Sequence, residues 1–160
     1  MVYAKGALGG LAVQHYRLKP EVAGGFGPGS IVDRSVHPPR VSRLDYSVAD
    51  WLGDCIVTAF PTFLLLRDTA RKIQAMSLTG FEVAEAIVSE AGEFRDINPD
   101  GVLPDLVWLR VHGAPGADDF GVTGRGELVV SERILEILVG DGLIVGSYTA
   151  WLSGASQEAV

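Results

Sequence analysis

Asp118-Asp119-Phe120 is the stretch of this chain whose residue types best suit chemistry or recognition. Two adjacent carboxylates on a glycine-rich loop can bind a cation, or present negative charge to a basic partner. A cation site needs further oxygen ligands at regular spacing, and the neighbouring residues do not supply them. The structural alternative has Asp118 capping a turn and Asp119 solvated. Phe120 is either a plug of the core or an exposed anchor. Asp118, Asp119 and Phe120 are therefore candidate partner-binding residues. No residue is assigned to catalysis, to a metal or to a cofactor.

The other chemical candidates have simpler explanations. Cys55 could act as a nucleophile beside His15, His37 or His112, but a reactive thiolate needs an electropositive, partly exposed setting. Cys55 stands in an apolar run, where cysteine behaves as a small buried hydrophobe. The three histidines are scattered, with no pair at metal-ligand spacing. The glycine-rich stretch Ala23-Gly24-Gly25-Phe26-Gly27-Pro28-Gly29-Ser30 invites a phosphate-loop reading. Such a loop requires a helix N-terminus after it and usually a Lys-Ser/Thr pair. Ser30-Ile31-Val32 and a later Pro-Pro follow instead, so a flexible loop is expected. Ser131 stands where a helix cap belongs.

These residues must be held by regular elements, and the clearest pattern lies near the C-terminal end. Residues 128–130 are an apolar run that stops at Ser131. Ile134, Leu135 and Leu138 then recur at helical spacing, and Gly142 precedes a second apolar run. This reads as strand, helix, strand. A looser version spans residues 63–83, with Asp68 at the start of a helical stretch carrying Ala70, Ile73 and Met76. The two can be overlaid with Leu64 on Leu128, Leu66 on Val130, Ile73 on Ile137 and Gly80 on Gly142. That overlay fits an old duplication, or two ordinary segments of the same kind.

Further strands are expected at residues 13–18, 30–32, 55–60 and 62–66, the last two split at Pro61. Residues 81–88 also read as one strand. Residues 106–111 place Leu106, Trp108 and Arg110 on one face and Val107, Leu109 and Val111 on the other. Residues 47–52 read as a helical turn ended by Gly53, His37-Pro38-Pro39-Arg40 as an extended linker, and residues 112–126 as loop. Asn98-Pro99-Asp100-Gly101 is a turn. Trp51, Trp108 and Trp151 are read as core packing, although tryptophan also anchors interfaces. The whole is predicted to be a single α+β domain over residues 1–160, with a strand-rich sheet and two main helices. Residues 1–43 are loop-rich, and residues 153–160 form a frayed tail.

Composition sets the bounds. A chain of 160 residues with 48% hydrophobic and 21% charged content can bury a core without staples. One cysteine cannot form an internal disulfide, which fits a reducing cytoplasm. The net charge of −7 disfavours phosphate backbones, and so nucleic acid, while permitting a basic protein partner. It also serves solubility. No apolar run approaches the ~18 residues of a membrane span. Ala7-Leu8-Gly9-Gly10-Leu11-Ala12-Val13 lacks a small-x-small cleavage site and is read as loop entering a strand.

Three stretches carry a family resemblance. They are Leu44-Asp45-Tyr46 with Trp51-Leu52-Gly53-Asp54, the segment from Phe60-Pro61 to Leu78-Thr79-Gly80-Phe81, and Asp118-Asp119-Phe120-Gly121 leading to Leu128-Val129-Val130-Ser131-Glu132-Arg133. Together they span residues 44–145. In them the chain resembles immunity proteins of bacterial polymorphic toxin systems, in particular the myxobacterial-type family with double CxxCG motifs. With Cys55 alone it has neither CxxCG motif, so any metal site of that family is missing. The resemblance implies a non-enzymatic, cytoplasmic binder of a cognate protein toxin, with Asp118, Asp119 and Phe120 as one contact. Tight inhibition by such a binder would bury about 800 Å² on each side. Two other classes stay open: an enzyme or small-ligand-binding domain, and a structural adaptor that self-associates through a sheet edge.

Overall fold

The computed structural model describes residues 14–152. The Ala7–Val13 run and the expected frayed tail, residues 153–160, lie outside the described residues. The strands are β1 (His15–Lys19), β2 (Gly24–Phe26), β3 (Ile31–Asp33), β4 (Arg40–Arg43), β5 (Asp45–Val48), β6 (Ile56–Ala59), β7 (Thr62–Leu66), β8 (Phe81–Ala84), β9 (Ile87–Glu90), β10 (Leu106–Val111), β11 (Phe120–Val122), β12 (Leu128–Ser131) and β13 (Ser147–Ala150). Helices α1 (Arg67–Gln74), α2 (Phe94–Ile97) and α3 (Glu132–Gly142) complete the described residues. The α+β expectation holds, but the strands form several small sheets rather than one.

The sheet β6-β7-β10-β8 is the middle layer, and both of its faces are buried. Residues of a strand alternate between faces, and β10 divides as its sequence pattern predicts. Val107 and Leu109 enter one core, and Leu106 and Trp108 enter the other. In β7, Phe63 and Leu65 share the first core while Leu64 joins the second. The first core lies against the sheet β11-β12-β1-β13 and helices α1 and α3, through Leu18, Leu128, Val130, Phe120, Ile134 and Leu138. The second lies against the sheet β2-β5-β9, through Tyr46 and Val48, and takes in Phe94 of α2.

Two halves of the molecule share one topology. The hairpin β6-β7 leads directly into α1 and then β8, and β10 sits between β7 and β8, antiparallel to both. The hairpin β11-β12 leads directly into α3 and then β13, and β1 sits between β12 and β13, antiparallel to both. Helix α1 buries Thr69, Ala70 and Ile73, and α3 buries Ile134, Leu135 and Leu138 at the same spacing from the helix start. The structural correspondence places Leu66 on Ser131, one residue further along than the overlay drawn from apolar matches. The helices meet where Thr69 Oγ1 donates to Asp141 Oδ2 at 2.7 Å and Lys72 contacts Asp141 Oδ1 at 2.5 Å.

Four local expectations are corrected. Gly24-Gly25-Phe26 is strand β2, not loop, because its backbone pairs with β5. The approach at Gly24 is so close that a Cβ would lie 2.0 Å from the Ser47 carbonyl oxygen, so only glycine fits. The helical turn expected over residues 47–52 is not formed: Ser47 and Val48 belong to strand β5, which is held between β2 and β9. The strand expected over residues 81–88 is two strands in different sheets, broken at Glu85-Ala86. Loop 112–126 contains β11, which pairs with β12.

Tyr46 ties the middle layer to the sheet beside it. Its side chain is fully buried, its hydroxyl accepts from Ala23 N at 3.0 Å and donates to Thr58 O at 3.1 Å. Burial pushes the phenol up to about 12. Replacing it by phenylalanine leaves both backbone groups without that partner. We expect Tyr46→Phe to lower unfolding free energy by about 1–3 kcal/mol in a urea titration; a change within error would show that the hydroxyl bridge does not matter.

Candidate functional site

The candidate loop is built into the fold. Phe120 is the first residue of β11 and is fully buried, stacked edge-on against Phe81 at 5.1 Å between centroids. It is a core plug and cannot serve as an exposed anchor. Asp119 is also buried, which corrects the expectation that it is solvated. Its Oδ2 accepts from Thr79 N at 2.9 Å and from Thr79 Oγ1 at 3.3 Å. Its Oδ1 accepts from Ser131 Oγ at 2.7 Å and faces Arg133 at 3.3 Å. Asp118 is half-buried and its carboxylate closes its own loop, Oδ2 accepting from Ala114 N at 2.8 Å. The carboxylates thus organise their own loop and its neighbours.

Asp119 has a structural twin that sequence reading missed. Asp54 is fully buried just ahead of β6, as Asp119 is just ahead of β11. Asp54 accepts from the backbone N–H groups of Ile144, Val145 and Gly146, at 2.8, 2.9 and 2.6 Å. Those residues lie in the loop after α3, and Thr79 lies in the loop after α1. Each aspartate therefore fastens the loop that leaves the helix of the opposite half. Backbone bonds reinforce both crossings, from Phe120 N to Thr79 O at 3.1 Å and from Cys55 N to Gly142 O at 2.8 Å. The available signal was an aspartate heading an apolar run, Asp54-Cys55-Ile56-Val57 beside Asp119-Phe120-Gly121-Val122.

Ser131 caps α3, accepting from Ile134 N at 3.4 Å, and its hydroxyl also holds Asp119. The cap alone therefore does not account for it. The glycine-rich stretch closes around an aspartate of its own chain. Gly29 N donates to Asp45 Oδ2 at 3.0 Å, Gly27 N donates to Asp45 O at 2.7 Å, and Ser89 Oγ donates to Asp45 Oδ1 at 2.6 Å. Those backbone donors are already engaged by the chain itself. Cys55 is buried, its Sγ 3.4 Å from Leu138 O, and burial, with Asp141 nearby, pushes its thiol up to about 12. His37 lies beside Phe60, with ring centroids 6.2 Å apart, and His15 Nε2 lies 3.2 Å from Asp118 O. Among the described residues no three His, Cys, Asp or Glu side chains converge on a metal-sized site.

What remains accessible is at the periphery. One feature is the edge strand β13, all four residues of which are exposed. Another is a cleft beside Arg17, lined also by Pro115, Val122, Arg125, Glu127 and Trp151. Among the described residues no helix is long and apolar enough to cross a membrane. Comparison with family models, with curated proteins and with solved structures gives no match for this chain.

Asp54→Ala is expected to cost roughly 3–5 kcal/mol, and Asp119→Ala roughly 2–4 kcal/mol, because each removes a buried carboxylate that holds several part-buried donors. Ser131→Ala should cost about 2 kcal/mol, more than a cap alone. Burial by itself would raise the Asp119 carboxyl, but Ser131, Thr79 and Arg133 together hold it below the usual carboxylate range. Its stabilising contribution is therefore full above its unfolded value of about 3.9 and is lost as pH falls through the lower folded value. Between about pH 4 and pH 2, Asp119→Asn should show a shallower loss of stability than the parent protein in pH-resolved chemical unfolding. Identical slopes would remove Asp119 from the acid response.

The Cys55 thiol should react with a chromogenic disulfide reagent only as fast as the protein opens. Labelling at the rate of a free thiol in native buffer would contradict its placement in the core.

Proposed function

We propose that this protein is an immunity protein, which binds a cognate bacterial toxin in the cytoplasm and neutralises it by protein–protein contact. The observation that carries the reading is the open edge at β13. Strand β1 pairs with one side of β13, and among the described residues no strand pairs with the other. Natural proteins usually guard such edges with lysine, proline or a bulge. Ser147-Tyr148-Thr149-Ala150 carries none of these. The flanking chain adds exposed apolar side chains, Ile144 at 74%, Tyr148 at 46% and Leu152 at 65% of full exposure. Exposed apolar surface beside unpaired backbone is a protein-docking feature.

Charge favours a basic occupant. The protein carries a net charge of −7. Tyr16 stacks edge-on with Tyr148 at 5.8 Å, and its phenol is raised by burial first and then by nearby Glu132. Glu132 of α3 therefore stands near Tyr16, on the strand that pairs with the edge. Such an arrangement speeds encounter with a positively charged surface and fixes its orientation. The family resemblance supplies the biological role, and the edge supplies a place for the contact. Because Asp119 and Phe120 are buried, the contact is assigned to the edge rather than to the 118–120 loop.

The test joins capture to rescue. Tagged protein is used to capture partners from its native lysate, and the captured protein is then expressed alone and with this chain. We expect a near-equimolar partner that arrests growth alone and is harmless in the pair. Ile144→Ser with Tyr148→Ser should weaken the complex at least tenfold, or about 1.4 kcal/mol, while moving the melting temperature by only a few degrees. A captured protein that is not toxic would refute the immunity reading. A homodimer in light scattering, broken by the same double variant, would assign the edge to self-association instead.

A further inference from the structure

We propose that the cleft beside Arg17 is a binding site for a small organic carboxylate, a role separate from partner contact at the β13 edge. The cleft has a volume of about 300 Å³, at the lower end of ligand-sized pockets. Its walls come from distant parts of the chain. Arg17 belongs to β1, Pro115 to the loop ahead of β11, Val122 to the end of β11 and Trp151 to the chain after β13. Thr123, Gly124, Arg125 and Glu127 form the turn into β12. Trp151 is buried and lies close against Gly116, where a Cβ would fall 2.5 Å from the indole Cζ3. The wall is thus firmly seated.

The polar groups suit one kind of ligand. A guanidinium offers five donors in a planar fork, and those of Arg17 are under-used. Its Nε is buried without a hydrogen-bond partner, and its Nη1 reaches Glu127 Oε2 only at 3.5 Å. The Nε itself is closed off from the cleft, so the capacity a ligand can reach lies at the Nη end of the fork, on a side chain that is 34% exposed and held only by the long contact to Glu127. Arg125 adds a second cation, and no hydrogen bond or ion pair of its side chain is made with the described residues. Two arginines against one glutamate leave the lining net positive in a protein of net charge −7. Pro115, Val122 and Trp151 supply apolar and aromatic surface beside that charge. A carboxylate on a short apolar or aromatic stem matches both halves of the lining. The fork of Arg17 matches a carboxylate in two-point geometry, and Glu127 acts as an internal competitor for it.

The test is a titration of the isotope-labelled full chain with isovalerate, benzoate and inorganic phosphate, followed by the Trp151 indole N–H and the amides of residues 123–127. Isovalerate and benzoate should shift these signals saturably, and phosphate should bind at least tenfold more weakly. Arg17→Met keeps the apolar stem and should weaken binding tenfold or more. Arg17→Lys, which keeps charge but not the fork, should fall between. Glu127→Gln should tighten binding several-fold, an outcome that a purely structural Arg17–Glu127 pair would not produce. No saturable shift, or equal shifts in Arg17→Met with its fold intact by the same spectra, would overturn the proposal. Phosphate binding as tight as benzoate would overturn the carboxylate assignment. A blocked glutamyl peptide that binds more tightly than isovalerate would overturn the assignment to a free small acid.

Discussion

The reciprocal fastening by Asp54 and Asp119 is the constraint on which the two halves depend. A helix that ends and hands over to a strand leaves backbone donors and acceptors without helical partners. In water these groups are satisfied by solvent, but here the loops after α1 and α3 lie against the opposite half. A buried N–H left unpaired is expensive, whereas one donated to a carboxylate is among the stronger hydrogen bonds in a protein. Asp54 satisfies three such groups and Asp119 satisfies Thr79. Each aspartate stands at the start of one half and acts on the other. Each half thus supplies a carboxylate to the post-helix loop of the other. The same crossing brings α1 and α3 side by side and closes the first core.

The middle sheet then shows why some strands were legible and others were not. In β10 the order Leu106-Val107-Trp108-Leu109 is apolar on both faces, as a strand covered on both sides must be. Its composition and length announce a strand, and its alternation assigns the faces correctly. The α3 unit was readable for the same reason, since a β-run, a capping serine and a helical stripe follow without interruption. By contrast β2 and β11 are only three residues long and glycine-containing. Their strand character comes from partners far away in sequence, β5 and β12, and no local pattern reports it. Helix α2 is a single turn held by Phe94 in the second core, too short for periodicity to register. The break at Glu85-Ala86 is a tertiary decision, because β8 joins β10 while β9 joins β5.

The candidate site was harder to read, because structural and functional carboxylates look alike in sequence. Asp118-Asp119-Phe120 drew attention as charge beside an aromatic on a glycine-rich loop. The same features serve a loop that must dive into the core. The aspartate accepts the backbone donors of its neighbours, and the phenylalanine fills the space below. Asp54 does the same work, and a lone aspartate beside Gly53 has no adjacent carboxylate to suggest a cluster. Burial distinguishes these cases, and burial is a property of the whole fold. Arg17 is the converse. In sequence it is an ordinary strand cation, and only the arrival of Pro115, Arg125 and Trp151 around it creates a cleft.

Recognition is therefore displaced from the interior to the boundary. The polar residues best suited to chemistry by type, among them Asp45, Asp54, Asp119 and Ser131, are engaged in holding loops. Among the described residues, the outer backbone of β13 and the guanidinium of Arg17 are two peripheral features with capacity to spare. They are not equivalent. An edge strand offers a repeating row of donors and acceptors, which suits an extended surface and gains selectivity from flanking side chains. A narrow cleft with one forked cation suits a small rigid group and gains selectivity from shape. Both β13 and Arg17 belong to the sheet β11-β12-β1-β13, and β1 is its shared member, paired on one side with β12 and on the other with β13. Arg17 itself is opposite Thr149 in the β13 register. The two features thus share one pair of strands while presenting different chemistry, an edge backbone on β13 and a forked cation on β1.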